Sequence, residues 1–150
     1  MLVLNGIDDI KSKVGEELGV SDWIQIDQDA VNKFAEVTGD DQWIHVDVDR
    51  AKESPLGGTI VHGYFTLSLI PKFAYETYSI EGITFGMNYG SDKVRFLSPV
   101  PTGSRLRMRS TLASADDRNG GVLMKVTCTI EIEGSDKPAC VAETLTIVFG

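Results

Sequence analysis

Between Gly63 and Tyr78 the chain reads Gly-Tyr-Phe-Thr-Leu-Ser-Leu-Ile-Pro-Lys-Phe-Ala-Tyr-Glu-Thr-Tyr, with no charge before Lys72. Tyr64, Phe65, Leu67, Leu69, Ile70, Phe73, Ala74 and Tyr75 leave almost no polar face. A helix that is apolar nearly all round has to be buried. No window in the chain is apolar over the 18 residues a membrane span needs, so protein must cover it. Pro71 deprives the Leu67 carbonyl of its usual donor, which predicts a bend there.

The covering layer is legible downstream. Ile83 to Leu97, Ser104 to Ala115, Val122 to Glu133 and Pro138 to Phe149 all read as strands. In the third, Val122, Met124, Val126, Cys128, Ile130 and Ile132 share one face, while Lys125, Thr127, Thr129, Glu131 and Glu133 share the other. That alternation marks a half-buried antiparallel strand. Ser-Pro-Val-Pro-Thr-Gly, Asp-Asp-Arg-Asn-Gly-Gly and Glu-Gly-Ser-Asp-Lys-Pro supply the turns. The expected class is α+β, an antiparallel meander wrapped around one greasy helix. There is no repeat, linker or compositional shift, so 1–150 is expected to form a single domain. Such a sheet leaves an edge to be covered, and a homodimer is the economical cover.

The upstream part is less regular. Asp22 to Ile26 reads as a short strand and Asp27 as an N-cap. Val31, Phe34, Ala35 and Thr38 then follow helical spacing until Gly39, which suits the left-handed position that stops a helix. Asp40 is therefore the first side chain beyond a helix end. Asp40 to Gly58 looks irregular, with one helical turn near Asp49 to Glu53.

Charge narrows the function. Twenty-two acids against 14 bases give a formal net charge of −8, which excludes a nucleic-acid backbone as the main partner. The opening Met-Leu-Val-Leu-Asn-Gly-Ile-Asp-Asp turns acidic before any signal-peptide core matures, and a cytoplasmic protein is expected. Cys128 and Cys140 lack metal-ligand spacing. They fall on neighbouring strands, where a bridge is conceivable, but reduced core thiols are expected.

The only histidines are His45 and His62. Asp40 precedes His45 by five positions across a helix end, and a carboxylate and an imidazole so placed can converge on one water. The spacing alone equally fits a turn cap and an ordinary loop histidine. His62 reads either as a site-lining residue or as a helix-opening residue whose ring ties down the Asp40 loop. His45, Asp47, Asp49 and His62 could suggest a metal site, although the alternating acids read as solvated or capping. Lys93 and Arg95 share one parity on a strand, and Arg105, Arg107 and Arg109 on the next. They could steer phosphates, or simply pair with Glu131, Glu133 and Glu143.

The run Phe34-Ala-Glu-Val-Thr-Gly-Asp-Asp-Gln-Trp-Ile-His-Val-Asp47 resembles the signature of the MaoC-like, R-specific enoyl-CoA hydratases. Gly57-Gly-Thr-Ile-Val-His-Gly-Tyr-Phe-Thr-Leu-Ser68 resembles the segment that opens that family's central helix, and the likeness continues through Asn88 to Gly103 and Lys137 to Glu143. Gln42-Trp43 departs from the Asn-Pro of many members and is similar to the nodulation-protein-N-like branch. The resemblance implies a hot-dog fold and a lyase that adds water to trans-2-enoyl thioesters. It implies that Asp40 and His45 hold and deprotonate the water, and that the backbone N–H of Gly63 receives charge developing on the thioester oxygen. It further implies an acyl-CoA or acyl carrier protein thioester as partner, a reaction that needs no metal, and no cofactor beyond the coenzyme A of the substrate. In its light, His62 reads as a substrate neighbour or a helix-entry residue, and Asn88 and Tyr89 as acyl-tunnel lining or as structural strand residues. Two alternatives stand beside it: a hot-dog thioesterase, and a non-catalytic acyl-thioester-binding module.

Overall fold

A computed structural model describes residues 1–150. The chain opens with Leu2–Asn5 (β1) and Gly6–Ser12 (α1), then Glu17–Val20 (β2) and the two-residue Ile24–Gln25 (β3). Sequence patterning gave no notice of β1 and α1. They are short, and only Leu4 and Ile10 are fully buried on them. Gln28–Thr38 (α2) behaves as its caps dictate. The Asp27 carboxylate accepts from the Ala30 amide at 2.9 Å, and Gly39 ends the helix at φ +78.

The stretch after Asp40 is more ordered than expected, with Trp43–Val46 (α3) and Val48–Glu53 (α4) back to back. Asp47 lets two helices abut, its amide closing the first and its carboxylate accepting from Arg50 N–H at 3.1 Å to open the second. The greasy segment forms two helices, Gly63–Ser68 (α5) and Ile70–Thr77 (α6). The break at Leu69 lies just before Pro71, where the Leu69 amide tightens onto the Thr66 carbonyl at 3.2 Å.

Tyr78–Glu81 (β4) pairs in parallel with β1. Phe85–Phe96 (β5), Arg105–Arg118 (β6), Gly121–Ile132 (β7) and Cys140–Phe149 (β8) match the four expected strands. Their order corrects the simple meander: the sheet runs β2-β6-β7-β8-β5, with β3 also on β6. β5 thus closes on β8 and becomes an edge. The β6–β7 turn places Asn119 at φ +49 and Gly120 at φ +81, the left-handed pair that a two-residue hairpin needs.

The inner face of the sheet meets the helical segment at Phe73, which is wholly buried among Leu4, Ile10, Leu106, Met108, Met124 and Ile130. The expectation of burial all round is corrected in this chain: Tyr64 and Tyr75 stand 70% and 79% exposed. The helices cover the sheet with one stripe and turn aromatic rings outward. β5 does the same, with Phe85, Met87, Tyr89 and Phe96 exposed along an unpaired edge. Cys128 and Cys140 are free and buried, and burial pushes both thiols up to about 11. No helix is long and apolar enough to cross a membrane.

On the outer face the basic residues are committed to acids. Arg105 reaches Glu133 at 3.1 Å, Arg107 reaches Glu131 at 2.7 Å, and Arg109 reaches both Glu17 at 2.9 Å and Glu131 at 3.3 Å. With β7 and β8 between β5 and β6, Lys93 and Arg95 do not join these arginines in one patch. Glu131 feels two opposed effects. Burial raises its pKa, but hydrogen bonds and charge from Arg107 and Arg109 outweigh this and hold it below the ordinary 4.5. A carboxylate with a depressed folded pKa stabilises fully above its unfolded pKa and loses that contribution as pH falls through the folded value. Urea unfolding of wild type and Glu131→Gln should therefore show their largest stability gap at neutral pH, shrinking well below pH 4.5.

Candidate active site

The site is assembled by a short bridge rather than by one element. Residues Thr59 to Val61 run between the Trp43–Val46 turn and the loop before β6. Ile60 N–H donates to the Ile44 carbonyl at 3.0 Å, Val61 N–H to the Val100 carbonyl at 2.8 Å, and Thr102 N–H to the Thr59 carbonyl at 2.9 Å. The Ile60 carbonyl then accepts from Nδ1 of His45 at 2.7 Å. A carbonyl can only accept, so Nδ1 carries the proton and the neutral ring presents Nε2 as a bare lone pair. Gln28 secures the same turn, donating to the His45 carbonyl at 2.8 Å while its amide oxygen accepts from Thr59.

His62 stands at the N-terminal boundary of α5 and takes the opposite tautomer. Its Nε2–H donates to the main-chain carbonyl of Asp40 at 2.9 Å, which leaves Nδ1 bare, buried and unpartnered. Of the two readings of His62, the structure shows its ring tying down the Asp40 loop. The two imidazoles stack with centroids 3.8 Å apart and planes 22° apart. Phe34 lies 4.8 Å from His62, and Phe65 lies 5.0 Å beyond Phe34. This file of four rings fixes both histidines by contact.

Helix α2 stops at Gly39, so Asp40 emerges half-buried beside the stack. One donor atom each from Asp40, His45 and His62 lie within 4.8 Å of one another. Two hydrogen bonds of about 2.8 Å meeting at a water's tetrahedral angle separate their outer atoms by about 4.6 Å. The 4.8 Å limit admits a carboxylate and a base that share one water. The same three residues also bring together atoms that a metal ion could use, with the two rings stacked at 22° between planes.

His45 opens on a cleft of about 330 Å³, which Gly63, Thr66, Phe96, Ser98 and Val100 also line. Asp40 does not line it, so His45 is the group of the pair that faces an occupant. Thr66 is 2% exposed, and its hydroxyl has no partner. Asn88 lies elsewhere, in an apolar groove of about 910 Å³ that starts at Leu67 and continues past Ile70, Tyr78 and Cys128. It is not brought to the Asp40 and His45 pair. Gln28, Thr59, Phe34 and Thr66 were not singled out from the sequence. Phe34 was read only as part of a helical pattern and Thr66 only within the greasy segment, and nothing local marked Gln28 or Thr59 as supports.

The MaoC-like domain model matches residues 9–133. The chain is 48% identical over 146 residues to 3-hydroxyacyl-thioester dehydratase Z of Mycobacterium tuberculosis, covering 97% of each chain. It is 46% identical over 143 residues to nodulation protein N of Rhizobium leguminosarum bv. viciae, covering 93% of this chain and 89% of that one. Among solved structures, the (R)-hydratase of A. caviae superposes with a TM-score of 0.72 at 20% identity, over 89% of this chain and 94% of that chain. The hot-dog fold is thus shared, and the chain belongs to the MaoC-like domain family.

Gly63 packs against the Phe96 ring on the cleft wall. A Cβ there would lie 3.2 Å from the Phe96 ring. Gly63→Ala is expected to destabilise by about 1 kcal/mol through overpacking. Phe96→Leu in the same chain should relieve that penalty, and a double-mutant cycle by chemical denaturation should show the coupling.

Proposed function

We propose that this chain is a hydro-lyase that reversibly adds water to trans-2-enoyl-CoA to give (R)-3-hydroxyacyl-CoA. The observation that carries the reading is the Asp40 carboxylate gathered within 4.8 Å of His45 and His62, with Nδ1 of His45 tied to the Ile60 carbonyl and its ring on the wall of a cleft. In this reading Asp40 orients the water and His45 Nε2 takes its proton. The oxygen bonds to the β-carbon, and the alkene electrons shift to the thioester oxygen. The proton returns on the same face to the α-carbon, so the elements of water are conserved.

Charge on the thioester oxygen needs a donor, and Gly63, on the cleft wall, offers its amide with no side chain in the way. The groove beginning at Leu67 supplies apolar room for the acyl chain. The relatives support the direction of chemistry: one is named for dehydration of 3-hydroxyacyl thioesters, the reverse of the same step. Coenzyme A and an acyl carrier protein both remain candidate thioester carriers, and the reading places the protein in the cytoplasm. It also makes the protein a homodimer, because β5 carries exposed Phe85, Met87, Tyr89 and Phe96 along a free edge, with Phe96 reaching the cleft.

Crotonyl-CoA should lose its enone absorbance on addition of the protein, which should sediment at twice the chain mass. Asp40→Asn and His45→Gln should each lower kcat by about 10²–10⁴, with the Tm of Asp40→Asn near that of wild type and that of His45→Gln lowered by the loss of its buried stack and hydrogen bond. Wild-type turnover by either variant contradicts the mechanism. Release of free thiol makes the protein a thioesterase instead, and tight binding without turnover makes it a carrier module.

A further inference from the structure

Serine and threonine hydroxyls inside helices ordinarily bond back to the carbonyl one turn earlier. Three in this chain do so. Thr38 donates to the Phe34 carbonyl at 2.7 Å, Ser68 to Tyr64 at 2.6 Å, and Thr77 to Phe73 at 3.3 Å. Thr66 does not. The carbonyl one turn before it, on His62, takes the Thr66 amide at 3.1 Å, and the hydroxyl is left buried without a partner. A buried hydroxyl with no hydrogen bond is destabilising, so an orphan needs a reason. This one lines the same cleft as His45 and Gly63.

We infer that the Thr66 hydroxyl is a donor to the thioester oxygen of the bound substrate. The inference rests on the hydratase reading of the cleft and adds to it a group that the reading does not use. The reasoning is by elimination at the reacting end of a 2-enoyl thioester. The acyl carbons accept nothing. The attacking water, which becomes the 3-hydroxyl, belongs to Asp40 and His45. The thioester oxygen is the one strong acceptor left, and it is where negative charge grows as the β-carbon is attacked. A helical side chain leans toward the turn before it, which carries the Thr66 hydroxyl back alongside Gly63. The hydroxyl keeps its proton throughout and no bond to it is made or broken.

Ser110 serves as an internal control. Its hydroxyl is also buried and unpartnered, but it sits on β6 opposite Cys128, away from the cleft. Removing either orphan should raise the Tm, and only removing the one at Thr66 should slow hydration.

The test is steady-state hydration of crotonyl-CoA together with thermal unfolding, for wild type, Thr66→Val, Thr66→Ser and Ser110→Ala. Thr66→Val, which keeps the shape, should lower kcat and kcat/KM together by about 10²-fold with KM unchanged, as expected for a contact made in the transition state. Its Tm should rise above that of wild type, an outcome that a purely structural role for Thr66 would reverse. Thr66→Ser should keep most of the activity, and Ser110→Ala should raise the Tm at wild-type kcat. If Thr66→Val does not fold, Thr66→Ala carries the same kinetic readout. An active wild type with an unimpaired Thr66→Val, or a Thr66→Ser as slow as Thr66→Val, overturns this inference alone. A wild type that hydrates no enoyl-CoA removes the hydratase reading itself, and the Thr66 assignment with it.

Discussion

The hydrogen bond from His45 Nδ1 to the Ile60 carbonyl, 2.7 Å long, is the contact on which the site depends. It fixes which ring nitrogen is bare, and it ties the α3 turn to the bridge that leads into α5. Ile60 reinforces that tie from its other side, through its amide on the Ile44 carbonyl. One residue therefore sets the tautomer, the ring's position and the distance between two loops. His62 performs the complementary task on Asp40 by holding its main chain, and the stack of His45 on His62 keeps the two loops in register. The Asp40 carboxylate and the two imidazoles, which come from different elements, are thereby held within 4.8 Å of one another.

The outer surface divides the labour differently. The sheet's exposed face is a lattice of arginine and glutamate pairs, which holds β2, β6 and β7 together but individually contributes little where solvent screens it. The apolar edge of β5 and the outward rings of α5 and α6 are the opposite case. Exposed aromatics of that size along the free edge of a strand are unfavourable in a lone chain, and they border the cleft through Phe96.

Much of this was legible in the residues. Asp27 and Gly39 bracketed α2 because capping is a local affair, and the place of Asp40 just beyond a helix end followed from Gly39 alone. The β7 alternation was equally plain, since a strand with one wet face records its pleat in every second residue. The misses share a cause. The order of β5 across β8, the pairing of β1 with β4 and the scattering of the basic residues are decided by long-range contacts, which leave no periodic trace. The greasy helix was over-read because its outward Tyr64 and Tyr75 are apolar in composition without being buried in the single chain. At the site, the Asp40 and His45 pair was visible as a spacing, whereas the Ile60 carbonyl is main chain and carries no side-chain signature at all.

The most direct test of the account is the protonation of the two imidazoles, read by ¹⁵N NMR of uniformly labelled protein above the histidine titration range. With only two histidines in the chain, assignment follows from a single His62→Gln spectrum. The geometry demands opposite tautomers: His45 protonated on Nδ1 with Nε2 bare, and His62 protonated on Nε2. A spectrum showing His45 as the Nε2–H tautomer would contradict the account, because the nitrogen facing the shared water would then already carry a proton.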